Sequence, residues 1–464
     1  MYRWIAWNIL FRIQEWAKGH PTYTILREME AADRLSVSGL EQLRNEKLQK
    51  FIDYCYRHVP YVRTMMQEAG VAPSQIHQPG DLIRLPVMSK ADVRKHRAAL
   101  RSESATKLTS FSTGGSTGEP LQFDVSRRRT ASQVACRQRV GRWWGVSVGV
   151  PEFVLWGSPV ELTRQDRVRN WRDRLLSTEL LSAFEMNEAI MSQYLDRIIQ
   201  RGCQQFFGYP SSIYRLCLHA RRQGLDLRRL GIKVVFVTGE VLYPYQRQFI
   251  MESMNCPVAD GYGGRDSGFV AHECPTGGMH VMADAVIVEI LDPKGQPVPP
   301  GEAGEIVVTD LYSEEAPFLR YRTGDIAALS SRQCTCGRPL PLLENIEGRS
   351  ADEVVAPDGR RLHALSMIYV IREVEGVEQF RIIQQELDRF HVQLVCGESY
   401  PRNGEFRIRD GLARRLRWPV HVTFEYLSDF SQERSGKFRH VVSAVALPGE
   451  AASAPILSQT QSGT

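Results

Sequence analysis

Apolar residues recur at helical spacing between residues 40 and 70, where Leu43, Leu48, Phe51, Ile52 and Tyr56 share one side of a helix. Pro60 is expected to stop that helix. From about 109 to 345, helical patterns alternate with short β-rich runs: Phe153-Val154-Leu155-Trp156, Lys233-Val234-Val235-Phe236-Val237 and Glu305-Ile306-Val307-Val308. The second run ends in Thr238-Gly239, as a buried parallel strand does when it feeds a loop at its carboxyl end. Turns at Asp292-Pro293-Lys294-Gly295 and Pro299-Pro300-Gly301-Glu302 predict a β-subdomain around them. Beyond Gly348-Arg349 the texture changes. A strand at 353–355, a helix at 364–374, alternation over 379–395, a helix at 405–417 and a strand at 420–426 make a small α+β unit.

The fold class expected is therefore α/β. A large N-terminal domain, 1–347, carries α/β sheets and the β-subdomain, with residues 1–40 as a helical extension. A small mobile α+β domain follows at 348–448. The last stretch, 449–464, is rich in Ala, Ser, Gln and Gly and reads as a disordered tail.

Composition narrows the classes. A chain of 464 residues, 43% hydrophobic and 24% charged, has material for two or three cores. A net charge of +5 is spread over many arginines and forms no basic block, which suits an anionic small molecule and argues against nucleic acid. Nine scattered cysteines, an odd number, fit a reducing cytoplasm better than a disulfide framework. No stretch reaches membrane-spanning length. The first twenty residues, with Trp4, Ile5, Trp7, Ile9, Leu10, Phe11 and Ile13, fit an amphipathic helix. Packing on its own domain is preferred over a membrane-surface anchor, so membrane contact is peripheral at most.

The most informative segment runs from Thr109 to Pro120, with three glycines and six hydroxyl side chains within twelve residues. Glycines let backbone N–H groups turn toward an anion, and hydroxyls add donors. No lysine follows the last glycine, so this is not the Walker-type loop. Further on stand Thr238-Gly239-Glu240, Tyr262-Gly263-Gly264-Arg265-Asp266, Tyr321-Arg322-Thr323-Gly324-Asp325, Gly348-Arg349-Ser350-Ala351-Asp352 and Arg434-Ser435-Gly436-Lys437. Singly each could be a turn or a solvated charge; their order is what counts.

Taken in that order, these segments resemble the adenylate-forming (acyl-activating) superfamily. The resemblance implies that Ser112, Thr113, Gly114, Gly115, Ser116, Thr117 and Gly118 bind phosphates, and that Gly239, Glu240, Tyr262 and Gly263 flank the adenine. It implies that Asp266 holds Mg²⁺, that Asp325 accepts both ribose hydroxyls, and that Arg349 contacts phosphate or ribose. Asp352 would be a domain pivot and Lys437 the catalytic cation at the α-phosphate. Gly114, Glu119 and Asp266 depart from the usual residues, which are a hydroxyl residue, often lysine, and glutamate.

Cys274, His280, Cys334 and Cys336 make a Cys₃His set of the kind that closes around structural Zn²⁺, with His272 as the alternative nitrogen donor. Buried, reduced cysteines are the plainer account. The cysteine pattern, with His58-Val59-Pro60-Tyr61 and Leu85-Pro86-Val87, is most similar to the phenylacetate–coenzyme A ligase branch, and within it to members encoded with capsular polysaccharide genes. What this implies is an ATP-dependent ligase that makes an acyl-adenylate and passes the acyl group to a thiol such as coenzyme A, or to an amine. A homodimer is common in that branch. The alternative is a nucleotide-binding component of an assembly pathway with reduced catalysis. The acid is not legible; Trp156, Phe206, Phe207, Tyr209 and Pro210 are candidates for its pocket wall.

Overall fold

The computed structural model describes residues 2–112, 121–156, 173–183, 186–349, 353–397, 399–428, 430 and 440–445. They form two compact units, one running to Ile346 and one beginning at Glu347.

The first unit is built on a mixed sheet. Five parallel strands form one side: β3 (Glu152–Trp156), β4 (Thr178–Ser182), β5 (Gln205–Gly208), β6 (Val234–Thr238) and β7 (Val258–Gly264), in the order β4-β3-β5-β6-β7. The sheet continues from β7 through antiparallel β8 (Gly268–Glu273) and β9 (Met279–Val281). It then runs through β13 (Leu342–Arg349) and β12 (Tyr321–Leu329) to β11 (Gly304–Asp310) and β10 (Val286–Leu291).

The β6 strand shows why this sequence makes a buried strand. Val234 and Phe236 belong to one hydrophobic layer, with the helices Thr22–Ala32 and Arg127–Trp143. Val235 and Val237 belong to the opposite layer, with the helices Glu188–Arg201, Pro210–Arg222 and Pro244–Met254. A strand covered on both faces reads as an unbroken apolar run, as this one does. A separate hairpin, β1 (Leu108–Ser112) with β2 (Gln122–Ser126), pairs Ser112 with Gln122.

Pro60 behaves differently from expectation. The first helix ends at His58, but Pro60 opens a second helix, Pro60–Glu68, instead of closing the pattern. At the first helical position a proline loses nothing, because that N–H has no intrahelical partner and the ring already holds a helical φ. The two turns near 292 and 300 lie between β10 and β11, and the antiparallel run β10-β11-β12 around them is the β-rich part expected there.

In the second unit, a four-stranded sheet has the order β18-β17-β16-β19, where β16 is Val377–Gln384, β17 Arg389–Cys396, β18 His421–Tyr426 and β19 Val441–Ser443. Phe380 and Ile382 of β16 and Phe390, Val392 and Leu394 of β17 are buried in alternation, with the helix Gly404–Leu416 supplying Ile408, Leu412 and Leu416. The amide of Gln384 ties this sheet to the hairpin strand Glu353–Val355 by donating to the Val355 carbonyl (2.7 Å) and accepting from its N–H (3.0 Å). The expected α/β architecture with a small α+β unit is borne out. The 449–464 stretch lies outside the described residues.

Candidate nucleotide site and metal cluster

Three motif segments far apart in sequence meet in the first unit. The β1–β2 hairpin brings together the two ends of the Gly/Ser/Thr segment, whose residues 113–120 lie outside the description. Its near end is tied down: the Arg265 guanidinium donates to the Ser112 carbonyl at 2.9 Å. The hairpin itself is clamped by Asp124, which accepts from Ser110 (2.7 Å), Arg97 (2.8 Å) and Arg101 (2.8 Å). Burial works against that carboxylate, but the two guanidinium groups and Ser110 hold its pKa well below the usual range.

Beside Arg265, Asp266 accepts from the Tyr321 hydroxyl at 2.7 Å and from the Ser267 N–H at 3.1 Å. Its backbone carbonyl is held by fully buried Arg129, whose Nε also donates to Asp310 at 2.7 Å. The phenol of Tyr262 donates to Asp325 at 2.7 Å and lies 3.3 Å from the Thr323 hydroxyl, which in turn accepts from the Asp325 N–H at 3.1 Å. Burial, then the Asp325 carboxylate, push the Tyr262 phenol far above its ordinary pKa, so it stays a neutral donor. Two acidic side chains from separate motifs are thus each oriented by a tyrosine from the other's motif.

Gly239 sits just past β6 with φ +83°, and a Cβ there would lie 3.1 Å from the Tyr209 ring and 3.4 Å from Trp156. Those two rings stack at 4.2 Å and 21°. Only glycine gives both that backbone turn and that clearance. Glu240 accepts from the Ser211 N–H (3.2 Å) at the start of the Pro210–Arg222 helix, where a carboxylate is favoured by the helix dipole. Arg349 is the last residue of β13. Thr113 to Gly118, Asp352 and Lys437 lie outside the described residues.

On the sheet face beneath Gly261, a cavity of about 300 Å³ is lined by Val154, Phe207, Phe236, Phe269 and His272, with Phe11 and Gln14 among the residues on its other side. His272 pairs with Gly261 across β7 and β8 and stacks on Phe269. Its burial lowers the imidazole pKa to about 4. The cavity's Arg137 and Glu152 pair at 2.7 Å. Of the other aromatic candidates, Phe206 is core, stacked on Phe153.

The cysteine cluster forms as a group. Cys274 Sγ, His280, Cys334 Sγ and Cys336 Sγ offer ligand atoms that all lie within 4.8 Å of one another. Cys274 and Cys334 sulfurs are 3.6 Å apart, and His280 Nε2 is 3.2 Å from Cys336 Sγ. Sulfurs around tetrahedral zinc, each about 2.3 Å from the ion, stand about 3.7 Å apart, so the spacing fits. His280 Nδ1 lies 3.1 Å from the Leu340 carbonyl, which leaves Nε2 as the donor atom facing the thiols. The grouped nitrogen is that of His280, not His272, which lines the cavity. Gly278 is required here, because a Cβ would sit 2.6 Å from Cys334 Sγ.

Sequence reasoning missed Arg265, Arg129 and the partners of Asp266. An arginine carries no signal of its contact when the acceptor is a backbone carbonyl 153 residues away.

A 2-hydroxyisobutyryl-CoA ligase, solved in its postadenylation state in complex with R3-HIB-AMP, matches with a TM-score of 0.74 at 20% identity, over 89% of this chain and 91% of that one. The chain has the fold of the adenylate-forming ligases. Its sequence relatives are CapK and the phenylacetate–coenzyme A ligases. Protein CapK of Staphylococcus aureus is 21% identical over 412 residues, 88% of this chain and 90% of that protein. A phenylacetate–coenzyme A ligase of Thermus thermophilus is 26% identical over 440 residues, 87% and 96% of the two chains. The CapK C-terminal domain family matches residues 354–444. In sequence the chain is thus similar both to CapK and to the phenylacetate–coenzyme A ligases.

Proposed function

We propose that this protein is an AMP-forming ligase that converts a carboxylic acid to its acyl-adenylate with ATP and then transfers the acyl group to coenzyme A. The observation that carries this reading is the convergence of Ser112, Asp266 and Asp325 through Arg265, Tyr321 and Tyr262. In the first step a carboxylate oxygen attacks the α-phosphorus, and the bond to pyrophosphate breaks. In the second, the thiol sulfur attacks the acyl carbon, AMP leaves and the thiol proton passes to solvent.

The roles follow from chemistry and position. Residues 113–118 receive the phosphates from the clamped hairpin. Asp325, which accepts from the neutral Tyr262 phenol, is assigned to the ribose hydroxyls. Asp266 is the carboxylate assigned to Mg²⁺, which when bound neutralises phosphate charge. Gly239, Glu240, Tyr262 and Gly263 border the base. Arg349 is assigned to phosphate or ribose, and Lys437 offsets charge as pyrophosphate leaves. Asp352 is the pivot between an N-terminal domain ending at 347 and a C-terminal domain over 348–448. The cavity beneath Gly261 receives the acid's tail. Its charges are already paired, which favours a neutral, largely apolar tail. Cys274, His280, Cys334 and Cys336 hold a structural Zn²⁺. Nine cysteines, all free, support a reducing cytoplasm as the working compartment.

The test is pyrophosphate release from purified protein, ATP, coenzyme A and a panel of acids, read beside Lys437→Ala. The variant is expected to bind ATP as the parent does while losing turnover. No pyrophosphate with any acid class would overturn the assignment.

A further inference from the structure

We propose that the outer face of the first helical segment docks on an anionic lipid surface. Residues Tyr2–Lys18 run as an α-turn, a π-turn over Ala6–Leu10 and the helix Phe11–Lys18. The inner face is already occupied. Ala6 and Phe11 are buried, and Trp7 stacks on Phe11 at 5.3 Å and meets Tyr23 at 5.0 Å. Tyr2 donates to the Leu175 carbonyl (2.6 Å) and Arg3 to Gln204 (2.6 Å), so the segment is held in one orientation on its unit.

A helix that only packs on its own domain needs one apolar face. This one has a second. Trp16 is 81% exposed, Trp4 64%, Ile13 59% and Ile9 43%. Ile9, Ile13 and Trp16 follow i, i+4, i+7 spacing and so form one stripe. Tryptophan at that exposure is at home in the interfacial layer of a bilayer, where an apolar ring meets polar headgroups.

Charge selects the occupant. The sole acid among residues 2–18, Glu15, is 1% exposed and turned inward, where Thr22, His20 and Lys18 hold it. Arg3 and Arg12 are exposed, and among the described residues neither meets a carboxylate within ion-pair distance. The segment's exposed charges are therefore both positive, Arg3 held at Gln204 and Arg12 over the Tyr23 ring, with no exposed acid among residues 2–18 to offset them. A second copy laid on it would set like charges together, whereas anionic headgroups complement them.

Full-length protein is sedimented with vesicles of phosphatidylcholine alone and of phosphatidylcholine mixed with phosphatidylglycerol. Binding is expected to the mixed vesicles, to fall with added salt, and to shift tryptophan emission to the blue. Ile13→Ser with Trp16→Ser is expected to lower the partition coefficient about tenfold or more without changing the melting temperature, since both side chains are exposed. Arg12→Glu should weaken binding to mixed vesicles and leave neutral ones unaffected. The proposal is overturned by absence of binding, by equal binding to both vesicle types, or by variants that bind as the parent does. It is also overturned by a concentration-dependent dimer that Trp16→Ser breaks, which would assign the face to a second copy.

Discussion

The hydroxyl of Tyr321 donates a 2.7 Å hydrogen bond to the Asp266 carboxylate, joining the first residue of the 321–325 segment to the last residue of the 262–266 segment. Asp266 is a methylene shorter than the glutamate usual in this superfamily, and the phenol holds its carboxylate in one orientation. Tyr321→Phe removes a hydrogen bond to a charged group, a loss of about 1.5–3 kcal/mol. The Mg²⁺ concentration for half-maximal pyrophosphate release is expected to rise about tenfold. An unchanged Mg²⁺ titration would remove Asp266 from the metal's ligand set.

The thiol cluster predicts one zinc per chain, measured by elemental analysis of the purified protein. Gly278→Ala forces a Cβ to 2.6 Å from Cys334 Sγ and should expel the metal as effectively as Cys336→Ser. Both variants, and chelation of the parent, should lower the melting temperature by several degrees, about 1–3 kcal/mol. A metal-free parent with an unaltered melting curve after chelation would leave the four residues as plain reduced core.

Val154→Phe tests the cavity. Val154 pairs with Phe207 across β3 and β5 and lines the space beneath Gly261. Filling it should raise KM for acids with bulky tails about tenfold while sparing short-chain acids and ATP. Equal effects on every acid would place the tail elsewhere.

His272 makes a pH prediction with a definite sign. Burial lowers its pKa from 6.5 to about 4, so between those values the unfolded chain binds a proton that the folded one refuses. Stability from this group is fully present above pH 6.5 and declines as pH falls toward 4, by up to about 1.4 kcal/mol per pH unit. Asp260 acts in the opposite sense. Burial raises its pKa from 3.8 to about 7 despite Arg247, so its contribution is lost as pH rises through that range. The comparison that isolates His272 is parent against His272→Gln in denaturant titrations from pH 7 to about 4. The variant's stability should fall less steeply; parallel curves would contradict the assignment.

Much of this protein was legible from residue order alone. The burial of β6 on both faces follows from an unbroken Val/Phe run. The candidate nucleotide segments stand out because each is a local string whose residue types suit a phosphate, a ribose or a metal. The small unit's strands and helices were found for the same reason: hydrophobic period is a local property. Local pattern failed where two outcomes share one string. Pro60 can end a helix or begin the next, and only the packing of Val62, Met65 and Met66 into the core made it a beginning. His272 and His280 are both near Cys274 in sequence, yet strand pairing sends one to a cavity and the other to the thiols. The Arg265–Ser112 and Tyr321–Asp266 contacts, the cavity beneath Gly261 and the doubly apolar first helix depend on where distant elements come to rest. Such contacts are decided by chain closure and packing, which no local period encodes.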